Sequence, residues 1–210
     1  MQLVAENLVL ERGGRNVFDG LSLRLEGGAA LVLTGPNGSG KSTLLRSLAG
    51  YLRPASGSVR ITGAGADREV GEVCHFVGHL DGIKTHLTAA ENLSFWATYL
   101  GGVTDLATRV EAALQRFALD ALADIPAGYL SAGQKRRLAL ARLVAAERPL
   151  WLLDEPTVSL DLASIEVLIA AINGHLASGG MAVIATHVPM ALAPMQQIRL
   201  GPVVQAEAQP

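Results

Sequence analysis

Several features that mark particular classes of protein are scarce in this sequence. It contains a single cysteine, Cys74, so no disulfide can form within the chain, which favours a reducing compartment. Because its neighbours Val73, Phe76 and Val77 are apolar, we expect Cys74 to be a buried core residue rather than a reactive thiol. The net charge is only −2, which gives no indication of a nucleic-acid partner. Nothing in the pattern predicts a secretory signal peptide or a membrane-spanning helix.

Hydrophobic residues, in contrast, are abundant. They make up 50% of the 210 residues and give a mean hydropathy of +0.32. The length suits one large domain over residues 1–210. A well-buried α/β core explains this composition, and so does a surface that docks onto a membrane partner. Composition does not separate the two interpretations.

The distribution of apolar residues predicts an α/β protein. Strands are expected near residues 3–10, 21–25, 30–34, 58–62, 74–78, 150–153 and 181–186, and helices near 42–52 and 162–176. The runs 30–33, 150–153 and 182–185 lack polar alternation, which is typical of parallel strands buried on both faces. Between about residues 82 and 145 helical spacing dominates. The pattern therefore indicates a parallel-sheet core with an inserted helical subdomain, and a loose tail from about Ala206.

A glycine-rich segment follows the apolar run at residues 30–33. Its residues are Gly35, Pro36, Asn37, Gly38, Ser39, Gly40, Lys41, Ser42 and Thr43. The glycines allow a tight loop whose backbone N–H groups point at an anion, and the helix that follows adds the positive end of its dipole. Lys41 is placed to reach the β- and γ-phosphates of a nucleotide, and Ser42 to place its hydroxyl on Mg²⁺. The segment predicts a nucleoside triphosphate site.

Two carboxylates follow the apolar strand predicted at residues 150–153. Asp154 would complete an Mg²⁺ site with Ser42. Glu155 would orient and deprotonate the water that attacks the γ-phosphate. The structural alternative is a strand end capped by solvated acids. The glycine-rich loop upstream favours the catalytic interpretation.

Two further residues, Ser131 and His187, are candidates for contact with the bound phosphates. The segment 130–134, which contains Ser131, stands directly before a predicted helix at residues 135–146, where the serine is either an ordinary N-cap or an additional anion-binding position. His187 directly follows the apolar strand predicted at residues 181–186. That position puts His187 at the same edge of the sheet as the glycine-rich loop.

Taken in order along the chain, these motifs resemble those of the ABC (ATP-binding cassette) ATPases. The segment 130–134, Leu-Ser-Ala-Gly-Gln, is similar to the family's signature motif, with Ala132 in place of a glycine. His187 resembles the family's switch histidine, and Asp161 ends a segment similar to the loop that communicates across a dimer.

This resemblance implies a P-loop NTPase α/β fold, with a parallel-sheet core, an N-terminal antiparallel β subdomain and an inserted helical subdomain. It also implies ATP and Mg²⁺ as ligands and a homodimer with composite ATP sites. In that dimer Ser131, Gly133 and Gln134 of one subunit would complete the site formed by Lys41 and Ser42 of the other. Lys41, Glu155 and His187 would be the catalytic residues.

Two positions depart from the family pattern. His79 stands where the family carries a glutamine that contacts Mg²⁺ or its water. Since imidazole is a poor ligand for Mg²⁺, we expect His79 to act through water or as a hydrogen-bond sensor. Arg12 stands where the family places an aromatic residue that stacks on adenine. Arg12 either stacks its guanidinium on the base or is an ordinary surface residue.

The segments 78–96 and 148–161 are similar to the ATP-binding subunits of the cytochrome c maturation system. That resemblance implies a peripheral protein on the cytoplasmic face of the bacterial inner membrane, docked on CcmB- and CcmC-like integral membrane subunits. ATP hydrolysis would drive haem export or release of the haem chaperone. The sequence has no Cys-x-x-Cys-His motif, and no direct haem binding is expected.

Two alternatives remain at this point. One is the same ATPase serving an exporter for another substrate. The other is a soluble ABC ATPase that acts on ribosomes or DNA, against which the acidic balance and the single cassette argue.

Overall fold

The computed structural model describes residues 1–13, 15–63, 68–101 and 104–201, without the side chains of Arg12 and Arg15. Its strands and helices, in chain order, are β1 (Gln2–Arg12), β2 (Arg15–Glu26), β3 (Ala30–Thr34), α1 (Lys41–Leu48), β4 (Ser56–Thr62), α2 (Val70–Val73), β5 (Cys74–Val77), α3 (Ala89–Tyr99), α4 (Leu106–Arg116), α5 (Ala132–Ala145), β6 (Leu150–Asp154), α6 (Leu162–Ala177), β7 (Met181–Ala185) and β8 (Met195–Arg199). Short 3₁₀ turns at Asp120–Leu122 and Ala127–Tyr129 lie between α4 and α5.

The parallel sheet has the strand order β5–β6–β7–β3–β8. The central strand is β7, in which Val183 pairs with Leu31 of β3 on one side and with Leu152 of β6 on the other. Every residue of β6 and β7 is buried, and so is β3 as far as Leu33. The predicted α/β class and the predicted non-alternating, fully buried strands are therefore confirmed.

Two apolar clusters cover the two faces of this sheet. Alternate residues of each strand point to opposite faces, so Leu152 joins one cluster and Leu153 the other. The first cluster packs the sheet against α1 and against an antiparallel sheet of order β2–β1–β4. The second packs it against α3, α4, α5 and α6. The antiparallel N-terminal sheet that the family resemblance implied is present.

The described residues from 89 to 145 contain the helices α3, α4 and α5, and turns with two short 3₁₀ segments join α4 to α5. Thr88 and Glu91 form a reciprocal capping box that begins α3. Asn92 is buried, and its side chain bonds the backbone of Lys84 and Leu87, which fixes the preceding loop. Subdomain boundaries at about residues 82 and 145 stay a prediction.

The structure differs from the prediction at the end of α1 and at β8. Helix α1 ends at Leu48 rather than near residue 52, because Gly50 adopts a φ of 78° and Tyr51 donates its N–H back to the carbonyl of Arg46. This is the C-terminal arrangement that a glycine after a helix favours. Strand β8 was not predicted, since its residues are mostly exposed and carry little apolar signal. It pairs with β3 at the edge of the parallel sheet, where one face need not be apolar.

The longest stretch without Asp, Glu, Lys or Arg is residues 167–198. It is divided between α6, β7 and the start of β8. Within the described ranges no helix is both long and apolar enough to cross a membrane. Cys74 lies in the core, where burial raises the pKa of its thiol to about 11, so the expectation of an inert cysteine is supported. The tail predicted from Ala206 lies outside the described residues.

Candidate functional site

A cavity of about 380 Å³ opens at the carboxyl edge of the parallel sheet, where β3 and β6 end. Ten residues line it: Val17, Asn37, Gly38, Gly40, Lys41, Ser42, Thr43, His79, Asp154 and Glu155. Nine of them were selected from the sequence: six from the glycine-rich loop and the start of α1, the two strand-end acids Asp154 and Glu155, and His79 as the glutamine replacement. Only Val17 was not. The carboxyl ends of parallel strands meet at one edge, which explains why separate motifs converge here.

The glycine-rich loop needs glycine at two of its positions for different reasons. Gly35 has a φ of 135°, and a Cβ there would lie 2.3 Å from the carbonyl oxygen of Leu200, the residue directly after β8. Gly40 has a φ of 92°, and a Cβ there would meet the side chains of Val17 and Phe18 from β2. The loop is thus enclosed by the antiparallel sheet on one side and by the end of β8 on the other.

Lys41 begins α1 and is almost fully buried. Its ammonium group donates to the carbonyls of Gly35 at 2.7 Å and Pro36 at 3.1 Å. The same nitrogen lies 3.3 Å from Nε2 of His187. The lysine therefore stands inside the loop and beside His187, which does not itself line the cavity.

His187 reaches the loop from the end of β7, as the sequence predicted. Its Nε2 atom lies 3.2 Å from Oδ1 of Asn37 and 3.4 Å from Oε1 of Glu155. This one atom faces a cationic donor, Lys41, and two acceptors, so it either accepts from the lysine or donates to one of the oxygens. The sequence-predicted trio of Lys41, Glu155 and His187 is brought together.

Glu155 occupies an unusual backbone position for a residue with a side chain. Its φ is 46°, and its N–H donates to the carbonyl of Ala185 at 2.8 Å, which ties the end of β6 to the end of β7. Such a left-handed conformation is retained only where the surroundings determine it, and it aims the carboxylate toward His187.

Asp154 is the deepest acid of the site, with only 1% of its surface exposed. Its Oδ2 atom has no hydrogen-bond partner in the part of the chain that the structure describes. Nε2 of His79 lies 3.6 Å from Oδ2 of Asp154, and this distance is too long for a hydrogen bond. A buried carboxylate oxygen of this kind requires compensation.

A divalent cation would supply that compensation. Ser42 lines the same cavity as Asp154 and offers a hydroxyl oxygen. Among the described residues no cluster of three His, Cys, Asp or Glu could hold a metal. An ion at this place would therefore take few protein ligands, as Mg²⁺ does when waters and substrate phosphates complete its shell. The residues present fit Mg²⁺.

The segment 130–134 does not line this cavity. Ser131 caps α5: its Oγ accepts from the N–H of Gln134 at 3.2 Å, and the Gln134 side chain accepts from the N–H of Ser131 at 2.8 Å. Gly133 lies against the loop after β6, since a Cβ there would be 2.9 Å from the carbonyl oxygen of Ser159. Within one chain, Ser131 therefore acts as the N-cap of α5, and residue 133 must be small because the loop after β6 lies against it.

Asp161 caps the next helix, α6. Its carboxylate accepts from the N–H of Ser164 at 2.8 Å, and hydrogen bonding with Ser164 lowers the pKa of the aspartate. Like the segment 130–134, Asp161 lies away from the cavity of its own chain. The side chain of Arg12 lies outside what the structure describes, and its stacking on adenine stays a prediction.

Sequence reasoning missed two residues that shape the site. Val17 lines the cavity from β2, and its position follows only from the folding of the antiparallel sheet over the loop. Arg136, on α5, donates hydrogen bonds to the backbone carbonyls of the two acids, Asp154 and Glu155. Neither residue belongs to a motif, so only the tertiary structure reveals them.

Comparison with known proteins gives a consistent result. A family model described as "ABC transporter" matches residues 18–158. The cytochrome c biogenesis ATP-binding export protein CcmA of Nitrobacter winogradskyi is 47% identical over 96% of this chain and 98% of its own length. The protein of the same name from Rhodospirillum rubrum is 57% identical over 87% of this chain and 78% of its own length.

Solved structures agree with these relatives. An ABC transporter ATP-binding protein from Pyrococcus furiosus superimposes with a TM-score of 0.82 over 95% of this chain and 98% of its own, at 22% identity, which shows the shared fold. A dimeric ATP-binding cassette in a post-hydrolysis state with ADP and phosphate has a TM-score of 0.76 over 89% and 88% of the two chains, at 26% identity. The chain belongs to the ABC transporter family of ATP-binding proteins, in the group of the cytochrome c biogenesis ATP-binding export proteins.

Proposed function

We propose that this chain is the ATP-hydrolysing subunit of a bacterial ABC transporter complex that serves cytochrome c maturation, through haem export or release of the haem chaperone. The observation that carries the proposal is that Lys41 and Glu155, which both line the cavity, lie 3.3 Å and 3.4 Å from the same atom, Nε2 of His187. The relatives named for cytochrome c biogenesis, at 47% and 57% identity, support the biological role.

The loop from Gly35 to Thr43 would hold the triphosphate of ATP. Its backbone N–H groups and the start of α1 supply an anion-binding surface. Lys41 carries a full positive charge into this loop and stands beside His187. On arrival of ATP, Lys41 would exchange its bonds to the loop carbonyls for bonds to phosphate oxygens.

Glu155 and His187 would act on the reacting end of the nucleotide. Glu155 is poised to accept a proton from the attacking water, and His187 to donate a hydrogen bond to the γ-phosphate. Ser42 and Asp154 would hold Mg²⁺, which when bound neutralises charge on the phosphate oxygens. His79 lies near Asp154 and mostly in solvent, which supports a role through water rather than as a metal ligand.

The working unit would be a homodimer with composite ATP sites. Ser131, Gly133 and Gln134 lie outside the cavity of their own chain, where they are free to reach a second copy. The loop after β6 and the first residue of α6 each expose an apolar side chain, Val158 (55%) and Leu162 (81%), as a surface covered by another chain would. The similar dimeric cassette with ADP and phosphate supports this arrangement.

Integral membrane subunits of the CcmB and CcmC type would dock on a groove of about 880 Å³. Tyr51, Trp96 and Tyr99 line it, and Tyr51 and Tyr99 are about 70% exposed, at 71% and 70%. Exposed aromatic residues beside a groove are typical of protein interaction sites. The chain would thus be peripheral on the cytoplasmic face of the inner membrane, with no nucleic-acid partner and no haem of its own.

Copurification from bacterial membranes tests the proposal. The tagged full chain should bring with it multi-spanning subunits and should hydrolyse ATP, whereas Lys41→Ala in the same complex should not. A complex without turnover would contradict the ATPase role. Copurification with a multidrug-type permease would contradict the cytochrome c role and leave the ATPase role intact.

A further inference from the structure

Arg136 is a buried arginine whose hydrogen-bonding capacity is fully used. It lies on α5 with 4% of its surface exposed. A guanidinium has five N–H groups in a rigid planar fork, and here the five have five acceptors. They are the carbonyls of Gly78 (2.9 Å), Asp154 (3.2 Å), Glu155 (2.8 Å) and Pro156 (3.2 Å) and the carboxylate of Asp81 (2.8 Å).

These acceptors belong to two segments that both carry residues of the site. Three of them are consecutive carbonyls of the turn that ends β6 and holds Asp154 and Glu155. The other two flank His79 in the sequence, at Gly78 and Asp81. One side chain therefore holds the turn with the acids and the loop with the histidine at a fixed separation.

The turn is a place where such support matters. Glu155 has a φ of 46°, a conformation that residues with a side chain seldom adopt and that neighbouring contacts must maintain. Arg136 bonds the carbonyl of Glu155 itself, while the N–H of the same residue is held by Ala185 from β7. With both backbone groups held, the position from which the Glu155 side chain extends toward His187 is fixed.

The position of Arg136 in α5 adds a second connection. The helix begins with Ser131 as its N-cap, and Arg136 follows little more than one turn later. In the proposed dimer that N-terminus reaches the ATP site of the partner. Arg136 thus joins the segment offered to the partner's site rigidly to the acids of its own site.

We propose that Arg136 is a positioning residue for ATP hydrolysis: it sets Glu155 and the His79 loop relative to each other through five hydrogen bonds to their backbone and to Asp81. The inference rests on the proposed ATPase function. It requires the geometry of the fork as well as the charge, because a lysine ammonium cannot match five acceptors in one plane.

The test compares three variants in the membrane complex that copurifies with the chain. Arg136→Lys keeps the charge and removes the fork. Arg137→Lys is the matched control, since the neighbouring Arg137 bonds the carbonyls of Phe117 and Ala118, which lie outside the cavity. Asp81→Ala removes one acceptor and leaves the four backbone bonds. For each, kcat and KM for ATP, the Kd for Mg²⁺-ATP and the melting temperature are measured.

Arg136→Lys should lower kcat by about 10- to 100-fold, because misplacement of a catalytic group costs that order of rate. KM and the Kd for Mg²⁺-ATP should stay within about threefold, since the phosphate loop is intact. Arg137→Lys should keep the kcat of the unmodified complex. Asp81→Ala should lower kcat about threefold or more with an unchanged Kd. A merely structural role would instead reduce the bound nucleotide and the active fraction together.

The results separate this inference from the proposed function. An Arg136→Lys variant that folds and keeps kcat within twofold of the unmodified complex would overturn the positioning role alone. If Arg136→Lys does not fold, an unchanged kcat in Asp81→Ala would overturn it. Absence of turnover in the unmodified complex would overturn both the proposed function and this inference.

Discussion

Nε2 of His187 lies 3.4 Å from Oε1 of Glu155, although the two residues come from the ends of different strands, β7 and β6. Lys41 completes the group, with its ammonium 3.3 Å from the same histidine atom. Glu155 is largely buried, whereas about half of the His187 side chain is exposed, at 49%. The acid is thus held within the fold, and the histidine is the more accessible partner.

Glu155→Gln should lower ATP turnover by about two to four orders of magnitude, the range that loss of a general base gives. Glutamine keeps the size of the side chain but cannot take the proton of the attacking water. The variant should retain bound ATP and elute as a dimer in size-exclusion chromatography. Glu147→Gln is the control, because Glu147 is exposed and pairs with Arg109 away from the cavity. Turnover within a few-fold of the unmodified chain would remove Glu155 from the role of base.

Ser131→Ala should reduce turnover by about tenfold or more while Mg²⁺-ATP still binds to the isolated chain. Ser131 caps α5 and lies outside its own cavity, so the expected loss arises at the partner's site. Thr88→Ala is a matched control, since Thr88 caps α3 through the same kind of capping box. Each change should cost about 1 kcal/mol of stability. Equal losses of turnover in both variants would contradict a composite site.

His79→Gln should leave the Mg²⁺ concentration for half-maximal turnover within about threefold of the unmodified value, because imidazole is not an Mg²⁺ ligand of choice. The 3.6 Å between Nε2 of His79 and Oδ2 of Asp154 leaves no direct hydrogen bond to lose. Asp154→Asn, measured beside it, should raise that concentration about tenfold or more. A large shift for His79→Gln would make His79 a direct participant in metal binding.

Much of this site could be predicted because its residues stand at the ends of strands with a strong local signal. The apolar runs before Gly35, Asp154 and His187 identify buried parallel strands, and parallel strands end at one edge. Arg136 escaped prediction because nothing in its neighbourhood along the chain indicates that its acceptors lie 18 to 58 residues away. The edge strand β8 was not predicted because it is mostly exposed and pairs only with β3, so it carries few apolar residues.

His75 should make the protein less stable as the pH falls. Its ring is fully buried and donates to the carbonyl of Ala146 at 2.8 Å, and burial lowers its pKa to about 3. In the unfolded chain the ordinary pKa is about 6.5, so below that pH the unfolded state binds a proton that the folded state does not. The stability should therefore decline between about pH 6.5 and pH 3.

His75→Gln keeps a donor for Ala146 and removes the titrating group. In urea unfolding at several pH values from 7 to 4, its free energy of unfolding should fall less steeply than that of the unmodified chain, by up to about 1.4 kcal/mol per pH unit. His175, whose pKa burial also lowers, contributes equally to both proteins. Parallel pH profiles for the two proteins would contradict the assignment to His75.

Gly180→Ala should destabilise the fold by about 1 to 3 kcal/mol through overpacking. A Cβ at residue 180 would lie 2.2 Å from the ring of His175, and that ring cannot simply move aside because it stacks on Trp151 with a centroid distance of 4.0 Å and an interplanar angle of 5°. Gly174→Ala is the control: it lies within α6 with no atom near the added Cβ, and it should stabilise by about 0.4 to 1 kcal/mol. Thermal and urea unfolding measure both changes.

Removing the ring in Gly180→Ala/His175→Ala should cancel most of the overpacking penalty, measured against His175→Ala alone. A penalty of the same size with and without the ring would show that His175 is not its cause.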